Sequence, residues 1–90
     1  MSKQAVTAEV EIDFKEGKRT IEMVIKEPYE IEDCEEGKAV MLNLRNGENY
    51  TGIFKGMDSD EDIMLGSLSG KNTIGLKIAW LNDYFEQVGS

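Results

Sequence analysis

Four carboxylates crowd into "DSDED", with acids at Asp58, Asp60, Glu61 and Asp62. Alternating acids are the chemistry of a calcium loop, and Asp58, Asp60 and Asp62 fit its first three ligand positions. The rest of that loop is missing. Its sixth position needs a turn glycine and holds Ile63; its twelfth needs a bidentate Glu and holds Ser69. "IML" then follows, an apolar run that reads as a strand. The acids therefore call for another explanation, and no metal site is expected.

Other chemistry is scarce. The chain has no histidine, so it lacks the usual neutral-pH base and the commonest metal ligand. Ser–His and Cys–His nucleophile systems are excluded. Cys34 is the only cysteine, which fits a reducing cytoplasm, and its neighbours Glu32, Asp33, Glu35 and Glu36 oppose a thiolate. No catalytic residue and no cofactor is expected. The net charge is −8, concentrated in residues 28–90, which carry −7 against −1 for residues 1–27. Such acidity opposes nucleic-acid backbones. Lys55, Lys71 and Lys77 stand singly; they are the candidate RNA contacts if there are any. No apolar run is long enough for a membrane span, and the charged, alternating start is unlike a secretory signal.

The elements that must position these residues read as β-structure. Val6, Ala8, Val10, Ile12 and Phe14 alternate with polar residues, and after a turn at Gly17 so do Ile21, Met23 and Ile25. That is a hairpin, and its apolar face must pack on something. Pro28 ends it, and "YEIEDCEEG" has room for one short helix closed by Gly37. Val40, Leu42 and Leu44 open the next strand. Asn46-Gly47 is expected to turn it with positive φ at both residues. Tyr50, Gly52 and Phe54 continue, with Gly52 and Gly56 marking strong bends. "IMLGSLS", "TIGLK" and "LNDYFEQ" supply three more strands. The spacing of Ile78, Leu81 and Phe85 also allows a helix over 78–88. Ninety residues bury only about 60–65% of the unfolded surface, so self-association is expected.

Gly37, Lys38, Val40, Leu42, Leu44, Asn46, Gly47, Tyr50, Gly52, Phe54, Gly56 and Asp58 stand in the register of the first signature block of Sm and Sm-like proteins, which this stretch resembles. "LKIAWLNDYF" is faintly similar to the related bacterial Hfq, at Lys77 and Ala79 only. The resemblance implies a mainly β fold over 28–90, a short helix and then a strongly bent five-stranded barrel, to which the hairpin of 1–27 is an extension outside the family pattern. It also implies a homo-oligomeric ring joined by the fourth and fifth barrel strands of neighbours. In RNA-binding members, the positions of Asp60 and Asp62 hold a base-stacking side chain and an Asn. Ionised Asp can neither stack nor donate. The arginine of the second signature is absent, as no arginine follows Arg45. Asp58, Asp60 and Asp62 thus read as a degenerate uridine loop, and Asn46, Gly47, Gly52 and Gly56 as fold-determining residues. Trp80, Tyr84 and Phe85 could form a stacking platform, although core or interface roles are commoner for such residues. The expected function is a non-enzymatic, cytoplasmic interaction or assembly module that pairs with itself and with an unidentified protein. The alternative is RNA binding on a non-standard face.

Overall fold

The computed structural model describes residues 7–88; Val6 and the other residues of 1–6 and 89–90 lie outside it. Seven strands, β1 (Thr7–Phe14), β2 (Gly17–Lys26), β3 (Ala39–Leu44), β4 (Asn49–Met57), β5 (Asp62–Gly66), β6 (Thr73–Lys77) and β7 (Leu81–Gln87), form one sheet. Short 3-10 turns at Pro28–Asp33 and Ile78–Trp80 lead into β3 and β7. The sheet is antiparallel and open, in the order β1-β2-β7-β3-β4-β5-β6. It does not close on itself; β1 and β6 are its free edges. Among the described residues no helix is long and apolar enough to cross a membrane.

The hairpin is part of this sheet. β2 pairs with β7 from Met23↔Gln87 to Lys26↔Tyr84. Its apolar face finds its cover there: Ile12, Ile21 and Met23 are buried with Ala39, against Ile53, Leu68 and Phe85. Each such aliphatic side chain contributes about 1.5–3 kcal/mol when fully buried. The opposite face of the sheet carries the larger core of Ile31, Val40, Leu42, Phe54, Ile63, Leu65, Leu81 and Tyr84. Strand alternation does the sorting. Ala39, Ile53 and Phe85 point one way, and their neighbours Val40, Phe54 and Tyr84 point the other.

Residues 81–87 are a strand, and the helical alternative falls for a definite reason. The β3–β7 register shifts between Asn43↔Asp83 and Leu44↔Leu81, so Asn82 is an extra, exposed residue. That bulge lets Leu81 and Tyr84, three apart, both enter the core. A spacing that imitates a helix is here a strand that loses step once.

The Asn46-Gly47 turn also differs from expectation. Gly47 has φ +93, but Glu61 is the only described non-glycine residue with positive φ, so Asn46 is ordinary. The Gly47 amide donates to the Leu44 carbonyl at 3.1 Å and the Leu44 amide to Glu48 at 2.8 Å. This is a three-residue hairpin loop with glycine alone in the left-handed region. The Asn46 side chain completes it by accepting from the Glu48 amide at 2.9 Å.

Gly52 is required by close approach. A Cβ there would strike the Gly66 carbonyl oxygen and lie 2.9 Å from Leu65 Cγ. β5 runs beside β4 with no room at Gly52 for a side chain between them. Gly56, at φ +95, sits where the β4–β5 register shifts between Phe54 and Met57, and this bulge turns the chain into the acidic loop.

Candidate functional site

The acidic loop organises itself around Asp58. One oxygen, Oδ1, accepts from the amides of both Asp60 and Asp62 at 2.9 Å, while the Asp58 amide donates to the Asp62 carbonyl at 3.0 Å. Asp58 thus acts as a turn-forming residue, using its carboxylate in place of a backbone acceptor. The turn forces Glu61 to φ +62. Asp62 does not stand free in the loop. It opens β5, is half-buried, and its Oδ1 lies 3.0 Å from Lys77 Nζ across the β5–β6 ladder. That hydrogen bond, followed by the charges of Asp62, Asp60 and Asp58, raises the Lys77 pKa. Among the described residues no group of three or more Cys, Asp or Glu side chains is arranged to hold a metal ion.

The candidate RNA lysines are not gathered into a patch. Lys77 is taken by Asp62 at one end of β6. Lys71 is in the β5–β6 connection, where its amide donates to Ser67 Oγ at 3.2 Å. Lys55, exposed on β4, lays its side chain over Gly66, with Cε 2.7 Å from where a Cβ would stand.

A second grouping was not anticipated from the sequence. Glu86 is 5% exposed, beside Tyr84 in the strand's interior. Lys26 Nζ lies 3.5 Å from it, Lys38 Nζ 3.4 Å, and the Tyr84 hydroxyl donates to it at 3.1 Å. Burial, reinforced by Glu86, pushes the Cys34 thiol up to about 12. The acids next to Cys34 in sequence are not the cause. Burial first and Glu86 second also raise the Tyr84 phenol well above its ordinary value. Glu86 is thus fully partnered, by two lysines and a phenol. Only the register of β7, which turns Glu86 inward, could have betrayed it.

The third grouping is an open cleft of about 400 Å³ between the β3–β4 turn and the 3-10 turn before β7. Leu44, Tyr50 and Leu76 give it apolar walls, with Arg45, Glu48 and Trp80 at its rim. Two bonds tie the turns together: the Arg45 amide donates to the Trp80 carbonyl at 2.9 Å and Arg45 Nε to the Leu81 carbonyl at 3.2 Å. Trp80 is 48% exposed, whereas Tyr84 is fully buried and Phe85 packs against the hairpin cluster. The three aromatic residues therefore do not make one platform. Of the three, only Trp80 meets solvent broadly.

Together these features define a small, mainly β protein built on an open antiparallel sheet, with a self-braced acidic loop and an aromatic-walled cleft beside Trp80. Comparison with protein-family models, curated proteins and solved structures gives no match to this chain.

Proposed function

We propose that this is a non-enzymatic, cytoplasmic Sm-like interaction module that associates with itself and has lost uridine readout. The observation that carries this reading is where the signature residues fall. Gly47 sits at the hairpin turn, Gly52 at the close approach of β4 and β5, Gly56 at the bulge and Asp58 at the loop's pivot. Each glycine occupies a position where the backbone leaves no place for a side chain or takes a positive φ, Asp58 holds the loop through its carboxylate, and the run β7-β3-β4-β5-β6 follows a short 3-10 turn. In that run the fourth and fifth strands, β6 and β7, are the outer pair.

The ring implied by the resemblance needs one adjustment. β2 already holds β7 over Tyr84–Gln87, so β6 and β1 are the edges left for a neighbour. An unpaired edge is a template for another chain, and joining unlike edges head to tail builds rings when the rotation closes. The loss of uridine readout rests on Asp60, which cannot stack, and on Asp62, whose carboxylate is committed to Lys77. RNA binding through Lys55, Lys71 and Lys77 is the weaker reading, because Lys77 is already neutralised and the chain is strongly acidic.

Two measurements test the proposal. Light scattering over a range of concentrations should give a mass of several subunits, and a persistent 10.1 kDa monomer would remove the assembly role. Titration with oligo-U at two salt concentrations should show little binding. Tight binding that weakens as salt rises would restore the RNA-binding alternative.

A further inference from the structure

Arg45 stands out among the charges around the cleft. The chain is acidic, and Lys18, Lys26, Lys38 and Lys77 are each within 4.0 Å of a carboxylate; Lys15, Arg19, Lys55 and Lys71 make no ion pair among the described residues, but none of them lines this cleft. Arg45 makes no ion pair among the described residues, although it lines a cleft beside Trp80 and Tyr50. Its Nε is fixed on the Leu81 carbonyl, so the guanidinium plane is held while the two Nη groups have no protein partner among the described residues. Glu48, on the same rim, does not neutralise it; that carboxylate accepts from Asn46 Nδ2 at 3.0 Å instead.

We propose that this cleft binds a flat aromatic ring bearing a single carboxylate, with the ring against Trp80 and Tyr50 and the carboxylate on Arg45. The volume suits one ring, since ligand clefts begin at about 300 Å³ and combine apolar walls with a few placed polar groups. Leu44 and Leu76 supply those walls and Arg45 the polar anchor. An arginine with its plane fixed and two amino groups free is matched to a carboxylate. Glu48 and the net charge of −8 set the other limit: they repel a second negative charge, which favours a carboxylate over a phosphate. The same chemistry is offered by a free aromatic acid and by the C-terminal aromatic residue of another chain. This site does not depend on subunit assembly or on the Sm-like reading.

Trp80 is the only tryptophan, so its fluorescence reports on the cleft directly. Titration of the full chain with 3-phenylpropionate should give a saturable change. The neutral 3-phenylpropionamide should bind at least about tenfold more weakly, the value of a hydrogen bond to a charged group. Arg45→Gln should erase that preference for acid over amide, and Arg45→Lys, which keeps the charge but not the fixed pair of amino groups, should keep only part of it. Should Arg45→Gln melt early through loss of its bond to Leu81, Glu48→Gln serves in its place. It should tighten the acid by about two- to fivefold, as removal of an exposed opposing charge does, and leave the amide unchanged. Tighter binding of Gly-Gly-Phe than of 3-phenylpropionate would identify a chain terminus as the source, and the reverse a free acid. The proposal is overturned if no saturable change occurs, if acid and amide bind equally, if the acid preference survives Arg45→Gln, or if uridine monophosphate binds more tightly than either acid.

Discussion

The acidic loop and Glu86 make opposite use of the same functional group. The loop packs carboxylates densely, stays in water, and spends them on its own backbone and on one surface lysine. Glu86 stands alone in sequence, yet it is buried and gathers two lysines and a tyrosine. Carboxylate density in a sequence therefore says little about where charge carries energy. What matters is whether water is excluded, because an exposed pair is worth only about 0–1 kcal/mol, whereas removing one partner of a buried pair strands the other.

Glu86→Ala is the sharpest way to break this contrast. It leaves Lys26, Lys38 and the Tyr84 hydroxyl without their shared acceptor, and should cost about 3 kcal/mol in urea denaturation. A loss below about 1 kcal/mol would put Glu86 on the same footing as a surface acid. Gly52→Val probes the framework that holds the loop. Its side chain must displace the Gly66 carbonyl or Leu65, so a loss of about 1–3 kcal/mol is expected by thermal melting. An unchanged melt would mean that β4 and β5 separate without penalty. In the loop itself, Asp58→Ala should cost about 1 kcal/mol through loss of its two amide bonds, in the manner of a lost cap. Asp60→Ala should cost nothing measurable. Equal effects of the two would show that the loop is held by something other than the Asp58 pivot.

The last expected effect is confined to alkaline pH. Cys34 and Tyr84 are both raised in the folded protein, so the folded state favours their protonated, neutral forms. Their contribution is complete below the unfolded values and fades as pH rises, for Cys34 between 9.0 and about 12. Cys34→Ala should therefore lose less stability than the parent chain over that interval. Parallel pH profiles for the two would rule out a role for the thiol.

Much of the sheet was legible because alternation is a local signal. Ile12, Ile21 and Met23, and then Val40, Leu42 and Leu44, declare one buried face each, and the turns expected at Gly17 and Gly47 and the bend expected at Gly56 fall at glycines of positive φ. Four features were not legible. The bulge at Asn82 hides the strand character of β7, because a change of step resembles helical spacing. The inward turn of Glu86 follows from that change of step, and an isolated Glu carries no mark of burial. The docking of the hairpin on β7 depends on two segments far apart in sequence, so no local pattern encodes it. The cleft at Trp80 lay hidden for the same reason, since its walls come from the β3–β4 hairpin, from β6 and from the turn after β6.

The placement of β7 also governs how the chain can fold. This strand follows every other described strand in sequence, yet it lies inside the sheet, with β2 on one side and β3 on the other. Until it is in place, β1–β2 and β3–β6 are separate pieces that share no ladder. A growing chain could close both sets of local hairpins while still lacking the strand that joins them. Completion must then wait for pairings such as Met23↔Gln87, which span most of the sequence, and contacts of that kind slow folding because the loop must close before they reward it. Until that moment the outer edges of β2 and β3 would both be open to foreign strands. The interval between making β6 and inserting β7 is when this protein is most exposed to mispairing.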